Sequence, residues 1–403
     1  MAFDLADIRK ARERISPYTR RTPFLPFENL SKKTGKTIWM KCESLQRTGS
    51  FKIRGAANCI LENMAAAKKS GVIAASAGNH AQGVAAMSSL LGIKATIVMP
   101  QTTPAIKVQN TSAWGAKIEL SGESYNDSYV RAQELARSDG LVFVHPYNDP
   151  LIMAGQGTVA LEMLEEKDFA GVEAVVISVG GGGLISGCAT VLRQLAPRVK
   201  IYGVSAQNAP AFYKSFQSGQ VTEQPVSHTI AEGVATKKTE PEMLALLKKN
   251  LDDFFSIGED SIANAISTVA EHAKLIVEGA GALPIAAILN GLIPEKNVAV
   301  VLSGGNIDIP ALSNALQRGL VEQDRLVRLL IWVPDRPGGL NSVTEILAQR
   351  RANILEVVHQ RMTLHAPFGD TEIEIDMETR GKEHTDEILA ALAKSGVRVQ
   401  RLA

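Results

Sequence analysis

Four consecutive glycines, at 180–183, lie between an apolar strand-like segment and an apolar helix-like segment. Glycines at a helix start leave backbone N–H groups bare, and the helix dipole attracts an anion to them. A tight turn or a flexible linker is the simpler interpretation, but linkers are uncommon inside a strand–helix unit. The segment has neither the G-x-G-x-x-G spacing nor the Gly-Lys-Ser/Thr of a P-loop. The pattern favours a phosphate site and weighs against a nucleotide cofactor.

Lys52 lies in a polar segment, 43–56, where a helix is predicted to begin with Ser50 as its candidate cap. The helix dipole disfavours a lysine in the first turn, and burial would lower the pKa of its amine further. An amine with a lowered pKa can form a Schiff base with a carbonyl group. Taken alone, Lys52 would more often be an ordinary solvated lysine, so its assignment depends on its neighbours.

Two further polar turns follow predicted strands, namely Ser76-Ala77-Gly78-Asn79-His80 and Ser303-Gly304-Gly305-Asn306. The first leads into a helix, where backbone N–H groups and short polar side chains can receive a carboxylate. An ordinary helix cap is equally compatible with it, and Ser303 could equally satisfy a local backbone group. Ligands of open α/β sheets bind at the carboxyl ends of the strands, which is where both turns are expected.

The elements that must hold these turns alternate along residues 36–306. Short β-branched segments are followed by Ala-rich amphipathic ones, which predicts parallel sheets in an α/β architecture. Several predicted strands lack polar alternation, as expected of strands covered on both faces. The predicted strands are 37–41, 71–75, 95–99, 117–120, 141–144, 174–179, 200–204 and 297–302. The predicted helices include 82–91, 124–138, 158–166, 184–195 and 261–272.

The segment beyond residue 325 follows a different plan. Its predicted order is strand 326–333, a Pro-Gly turn, a helix through Leu340 and Leu347, strand 354–362, strand 371–378, helix 385–394 and strand 397–402. This β-α-β-β-α-β order is typical of a small ferredoxin-like domain. We therefore expect one large domain over 1–320 and a separate domain over 326–403.

The composition excludes several classes of protein. The chain has 403 residues, a net charge of +1 and three separated cysteines, Cys42, Cys59 and Cys188. A balanced charge gives no field for nucleic acid or a membrane surface, and no segment approaches the roughly 20 apolar residues of a spanning helix. Few cysteines without a C-x-x-C motif argue against a metal or disulfide framework. We expect a soluble cytoplasmic protein with no metal and no nucleic-acid or membrane partner.

In this order, the segments S-F-K-I-R-G-A, S-A-G-N-H-A-Q-G, G-G-G-G-L and S-G-G-N resemble the pyridoxal-phosphate (PLP) enzymes of the tryptophan-synthase-β class. Within that class they most resemble the threonine dehydratase (threonine ammonia-lyase) family. The segment D-R-P-G-G-L at 335–340 is similar to an ACT regulatory domain. The resemblance covers nearly the whole chain. It implies a two-lobed, parallel-sheet catalytic core of PLP fold type II over 1–320, with the smaller lobe over roughly 52–150 and the larger lobe over the remainder. A ferredoxin-like (βαββαβ) ACT domain would follow over 326–403.

The resemblance also implies roles for individual residues. Lys52 would hold PLP as a Schiff base and later remove the substrate's Cα proton, while Phe51 would pack on the ring. Asn79 would bind the ring oxygen and Ser303 the ring nitrogen. The cofactor phosphate would be held by Gly180, Gly181, Gly182, Gly183 and Leu184. The substrate carboxylate would be received by the loop of Ser76, Ala77, Gly78, Asn79 and His80.

The implied reaction converts L-threonine to 2-oxobutanoate and ammonia, and L-serine to pyruvate. A hydroxyl on the ring nitrogen makes a weaker electron sink than an aspartate would, which suits elimination. Serine racemases carry a serine where Ala77 stands, and β-replacement enzymes usually carry threonine where His80 stands, so neither activity is expected. Relatives that bind a divalent cation have acids before and within the segment matching 227–233. Here Glu232 replaces the commoner Asp, and a metal site is not expected.

For the C-terminal domain, the resemblance implies an isoleucine or valine effector and a homo-oligomer, either tetramer or dimer. The effector residues would be Asp335, Pro337, Gly338 and Leu340. The simpler alternative is that this domain only builds the oligomer. For the whole chain, the alternatives are a serine or threo-3-hydroxyaspartate ammonia-lyase, or a non-catalytic amino-acid sensor. A sensor would be expected to lack the lysine, and Lys52 is present.

Overall fold

The computed structural model describes residues 3–361 and 366–402. The chain divides into two compact units, Met1–Ile309 and Pro310–Ala403. Each unit has its own hydrophobic core, and each is described here by itself.

The first unit alternates strands and helices along most of its length. Its helices are α1 (Leu5–Ile15), α2 (Glu28–Thr34), α3 (Lys52–Glu62), α4 (Met64–Ser70), α5 (Asn79–Leu91), α6 (Ala105–Ser112), α7 (Tyr125–Asp139), α8 (Pro150–Leu164), α9 (Gly183–Leu195), α10 (Ala211–Ser218), α11 (Pro241–Asn250), α12 (Glu259–Thr268) and α13 (Gly279–Leu289). Its strands are β1 (Phe24–Pro26), β2 (Thr37–Cys42), β3 (Val72–Ala75), β4 (Ala95–Met99), β5 (Lys117–Leu120), β6 (Val142–Phe143), β7 (Ala174–Ser178), β8 (Lys200–Ala206), β9 (Asp253–Ile257) and β10 (Asn297–Leu302). Short 3-10 helices lie at Glu43–Leu45, Lys167–Gly171 and Glu232–Val234, and a π-helical turn lies at Val269–Ala273.

The strands of the first unit form two sheets. The larger has the order β1-β2-β10-β7-β8-β9, in which all pairs are parallel except the β1–β2 pair at the edge. The smaller has the order β5-β4-β3-β6 and is wholly parallel. Every residue of β7 is buried, because helices cover both faces of a parallel sheet. The predicted α/β core of parallel sheets is confirmed.

The second unit consists of α14 (Ile309–Glu322), which begins at the boundary between the units, and a four-stranded antiparallel sheet with two further helices. Its order along the chain is β11 (Leu326–Pro334), α15 (Gly339–Gln349), β12 (Asn353–Gln360), β13 (Asp370–Glu378), α16 (Lys382–Lys394) and β14 (Arg398–Arg401). The sheet order is β12-β13-β11-β14. In β13, Ile373, Ile375 and Met377 are buried and alternate with partly exposed acids, as predicted. The βαββαβ plan is confirmed, while Met362, the last residue of one predicted strand, lies outside the described residues.

Three details differ from the sequence-based expectations. Strands β1 and β9 were not predicted. Strand β1 has three residues and contains Pro26, and in β9 the polar residues Asp253 and Ser256 interrupt the apolar run. Helix α8 begins at Pro150, eight positions before its predicted start, with Asp149 as its cap. Two glycines in its first turns weakened the helical pattern there. Ser50 is not a helix cap, since α3 begins at Lys52 after Phe51 and no side chain caps it.

The three cysteines, Cys42, Cys59 and Cys188, are free and buried. Burial raises the pKa of each thiol to about 12. In the described parts of the chain, every helix is too short or too polar to cross a membrane.

Candidate active site

One cavity of about 770 Å³ collects the loops at the carboxyl ends of strands from both sheets of the first unit. Its size is within the roughly 300–1,000 Å³ range of small-molecule sites. The residues assigned to catalysis, cofactor and substrate from the sequence all line it: Phe51, Lys52, Ser76, Ala77, Gly78, Asn79, His80, Gly180, Gly181, Gly182, Gly183, Leu184 and Ser303. Segments far apart in the chain therefore converge on a single ligand-sized space.

The glycine loop joins β7 to α9, and Gly182 is the N-cap of α9 with a left-handed φ of 87°. The first N–H groups of a helix have no acceptor within it, so this end of α9 offers donors and a positive dipole to an anion. Neighbouring groups pack closely against the loop. A Cβ at Gly181 would lie 2.3 Å from the Tyr147 ring, and one at Gly180 would lie 2.7 Å from the Gly233 carbonyl oxygen. Larger residues therefore do not fit at these two positions.

Lys52 is the first residue of α3, and its amine enters the cavity. Nζ donates a hydrogen bond to the Pro146 carbonyl oxygen at 2.9 Å and lies 5.3 Å from the centre of the Phe51 ring. Burial lowers the pKa of Lys52 to about 8, against the opposing effect of the Glu278 carboxylate. A substantial fraction of this amine is thus neutral near pH 8, which a nucleophile or base requires.

Two residues after Lys52, Arg54 anchors α3 in a buried cluster of four charges. Its guanidinium donates two hydrogen bonds of 2.8 Å to Glu43 and two of 2.7 and 2.9 Å to Glu162. Lys41 donates to the same Glu162 carboxylate at 2.5 Å. Two cations thus balance two anions, and Arg54 fixes the first turn of α3 to α8 and to the 3-10 helix that follows β2.

The turn between β3 and α5 contains the predicted carboxylate-binding residues. Asn79 and His80 are the first two residues of α5, so their backbone N–H groups lack helical acceptors. The His80 ring is buried, and its Nε2 donates to the Val144 carbonyl oxygen at 2.8 Å. Burial and the charge of Lys52 lower the pKa of His80 to about 3, so the ring is neutral. His80 can therefore offer a ligand its backbone N–H, but not a positive charge.

Ser303 follows the last residue of β10 and is buried. The Ser178 hydroxyl donates to Ser303 Oγ at 3.3 Å. Because that oxygen already accepts, the hydroxyl hydrogen of Ser303 is available to an acceptor in the cavity.

Glu278 and Tyr147 are among the residues of the cavity wall that the sequence interpretation missed. Glu278 immediately precedes α13, and its carboxylate accepts a hydrogen bond of 2.7 Å from Asn79 Nδ2. Burial raises the pKa of Glu278 to about 7. The sequence does contain a signal for Glu278, because an acidic residue stands directly before a helix that is apolar on every side. Tyr147 packs on the glycine loop, and only its position after a His-Pro pair singled it out.

Glu232, which replaces the commoner Asp of cation-binding relatives, forms an ion pair with Lys107 of α6. Both residues line the cavity. Among residues 3–361 and 366–402, His, Cys, Asp and Glu side chains form no group of three or more that could hold a metal ion.

The predicted effector residues lie in the second unit. Asp335, Pro337 and Gly338 form part of the turn from β11 to α15, and Leu340 is the second residue of α15. Gly338 is the N-cap of α15 with a φ of 95°, and open space surrounds the position of a Cβ there. Asp335 forms an ion pair with Arg361 at 2.8 Å. The first N–H groups of α15 have no acceptor within the helix, and they lie beside the paired Asp335. The first of them, on Gly339, donates to the Arg336 carbonyl oxygen at 3.2 Å.

These cavity residues fit PLP. The cofactor needs an amine for its aldehyde, a donor set for a dianionic phosphate and a partner for its ring nitrogen. Lys52, the start of α9 and the Ser303 hydroxyl supply these three features in one cavity. The glycine loop packs so closely on Tyr147 that a Cβ at Gly181 would clash with that ring.

Comparisons with known proteins agree with this geometry. Residues 15–304 match the family described as pyridoxal-phosphate dependent enzymes, and residues 327–397 match the ACT domain. The chain is 42% identical over 397 residues to an L-threonine ammonia-lyase of Geobacter sulfurreducens, covering 98% of both chains.

Two solved structures extend the comparison. A threonine deaminase from T.th. superposes with a TM-score of 0.72 at 37% identity, over 76% of this chain and 99% of that one. A maize serine racemase gives a TM-score of 0.73 at 32% identity, over 80% of this chain and all of that one.

Proposed function

The chain belongs to the family of pyridoxal-phosphate-dependent enzymes and carries an ACT domain, and we propose that it converts L-threonine to 2-oxobutanoate and ammonia. L-Serine, with the same leaving hydroxyl, would give pyruvate. The full-length similarity to an L-threonine ammonia-lyase supports this assignment. The observation that carries it is the partly neutral amine of Lys52, which faces the anion-binding start of α9 across one cavity.

In this proposal each group of the cavity has one task. When bound, PLP supplies an electron sink for the electron pair left at the substrate Cα. Gly180, Gly181, Gly182, Gly183 and Leu184 would hold its phosphate through backbone N–H groups at the start of α9. Ser303 would donate its hydroxyl hydrogen to the ring nitrogen, Phe51 would pack on the ring, and the Lys52 amine would hold the aldehyde carbon.

Lys52 then acts as the base. Its neutral amine takes the Cα proton onto Nζ. The Pro146 carbonyl oxygen, 2.9 Å from Nζ in the structure, accepts a hydrogen bond that keeps the protonated amine in the cavity. The substrate carboxylate is received at the start of α5 by Ser76, Gly78 and the N–H groups of Asn79 and His80. Ala77 has no proton to give to the opposite face of Cα, so racemisation is disfavoured.

The second unit is proposed as a sensor of isoleucine or valine, with Asp335, Pro337, Gly338 and Leu340 as the effector residues. The start of α15 supports this, because N–H groups there that lack an acceptor within the helix could receive the effector's carboxylate. We further propose a cytoplasmic homo-oligomer, tetramer or dimer, and domain limits of 1–320 and 326–403.

The test uses purified holoenzyme, Lys52→Ala and, as a matched control, Lys33→Ala on the exposed face of α2. Wild type and Lys33→Ala should show a visible cofactor band that borohydride abolishes, leaving the cofactor on the peptide that contains Lys52. Lys52→Ala should lose both the reducible band and turnover. If Lys52→Ala kept both, the assignment would be wrong.

Substrate preference is measured separately, as kcat/KM for L-threonine, L-serine and threo-3-hydroxyaspartate. Threonine should have the highest value. A clear preference for either competitor would replace the threonine assignment by a serine or hydroxyaspartate ammonia-lyase. Binding of amino acids without any turnover would identify a non-catalytic sensor.

A further inference from the structure

Glu278 is a half-buried acid that the proposed chemistry leaves without a task. It precedes α13, yet its side chain does not cap that helix, and its carboxylate instead accepts the hydrogen bond from Asn79 Nδ2. The carboxylate is closely packed: a Cβ at Gly304 would lie 2.4 Å from Glu278 Oε1. Glycine at 304 thus makes room for the carboxylate beside the end of β10.

Asn79 has a second partner that fixes the orientation of its amide. Its Oδ1 accepts a hydrogen bond of 2.7 Å from Asn306 Nδ2, and Asn306 also donates to the Thr48 carbonyl oxygen at 2.7 Å. The Thr48 carbonyl oxygen can only accept, so the Asn306 NH2 group must face it, and the same NH2 group donates to Asn79 Oδ1. The Asn79 amide therefore has one orientation that satisfies both neighbours, with Oδ1 towards Asn306 and Nδ2 towards Glu278.

This chain of hydrogen bonds joins four segments of the cavity wall. Glu278 lies before α13, Asn79 begins α5, Asn306 follows β10, and Thr48 belongs to the loop that leads to Lys52. The same region is tied by the Gly305 N–H, which donates to the Gly49 carbonyl oxygen at 2.8 Å. Moving the Glu278 carboxylate would thus release the amide that faces the cavity.

We propose that Glu278 is a positioning residue, which orients the Asn79 amide so that its second Nδ2 hydrogen is presented to the ring oxygen of the cofactor. This rests on the proposed role of Asn79 in the PLP site. The Asn79 amide needs a hydrogen-bond acceptor at position 278, and not a negative charge there. Glutamine at 278 retains an oxygen for Asn79, whereas alanine removes it.

The charges around Glu278 offer a competing explanation. Lys52 on α3, Lys107 on α6 and Glu232 all act electrostatically on this carboxylate. If Glu278 served only as a counter-charge, glutamine and alanine at position 278 would be equally harmful. The two variants therefore separate orientation by a hydrogen bond from electrostatic compensation.

The experiment measures the dissociation constant of PLP by spectroscopic titration of the apo forms of wild type, Glu278→Gln, Glu278→Ala and Asn306→Ala. We expect PLP affinity to fall about tenfold in Glu278→Ala and in Asn306→Ala, but by less than about threefold in Glu278→Gln. The exposed Glu242→Ala on α11, which also removes one carboxylate, is the matched control and should bind as wild type does. Circular dichroism of each apo form verifies the fold.

Equal losses in Glu278→Gln and Glu278→Ala, or normal PLP affinity in a folded Glu278→Ala, would overturn the inference. Asn306→Ala is an independent test, because it removes the hydrogen bond that Asn79 Oδ1 accepts. The outcome is distinguishable from failure of the proposed function, since PLP affinity is measured without amino-acid substrate. A protein inactive on threonine that still showed this affinity pattern would refute the function and leave the role of Glu278 intact.

Discussion

Arg54, two positions after the lysine that enters the cavity, forms a fully buried ion pair with Glu43 through two hydrogen bonds. Burial alone would lower the pKa of Arg54, but the carboxylates of Glu43 and Glu162 outweigh it and raise that pKa. The pair belongs to a set of two cations and two anions. Removing one member leaves an unbalanced charge in a site without solvent.

We predict that Arg54→Met lowers the free energy of unfolding by about 3–5 kcal/mol, because Glu43 loses its cationic partner. The double variant Arg54→Met/Glu43→Gln should be more stable than the single one, since it leaves the Lys41–Glu162 pair neutral by itself. Thermal melting of the holoenzymes measures both.

An exposed ion pair provides the control for this series. Arg12 and Glu165 are each 37% exposed, so Arg12→Ala should cost no more than about 1 kcal/mol. A double variant less stable than Arg54→Met would contradict the view that unbalanced charge dominates the effect.

Gly181→Ala should weaken PLP binding by about tenfold or more, because its Cβ would meet the Tyr147 ring and displace the loop at the start of α9. Gly171→Ala is the matched control, since no atom lies within 4 Å of a Cβ there. Both are compared by titrating apoenzyme with PLP. Unchanged affinity in Gly181→Ala would show that the loop adapts, and the close-packed cradle would be refuted.

His80 should make stability depend on pH. Its pKa is about 3 in the folded chain but about 6.5 when unfolded, so the unfolded state binds more protons between these values. Stability should therefore fall as pH decreases from about 6.5, by about 1.4 kcal/mol per pH unit for one proton.

His80→Gln removes this proton while retaining a donor for the Val144 carbonyl oxygen. Its melting temperature should decline less steeply between about pH 7 and 5 than that of wild type. Parallel curves for the two proteins would show that His80 is not the titrating group.

Gly338→Ala should reduce any response to isoleucine or valine, because its φ of 95° suits only glycine and its position is at the open start of α15. Gly381→Ala is a control with similar backbone strain at φ 115°, before α16. Activity is titrated with each amino acid in the full-length proteins. If both variants responded as wild type, the turn at 335–340 would not be the effector site.

The parallel core could be predicted because strands buried on both faces leave unbroken β-branched runs, as in β7. Edge strands such as β9 leave no such run. The glycine loop and Lys52 were also visible, since each belongs to a short local motif. Glu278 was not, because its role depends on Asn79, which lies 199 residues away in the chain. Only the folded arrangement of the two sheets and their loops brings these two side chains together.

The three buried thiols have a consequence for experiments on this enzyme. Thiolate is the reactive form of cysteine, and Cys42, Cys59 and Cys188 are neither exposed nor ionised near neutral pH. The native chain should therefore resist maleimides and mild oxidants. A single cysteine introduced on the surface would then be the one site that takes a fluorophore, which makes the natural sequence a ready background for single-site labelling.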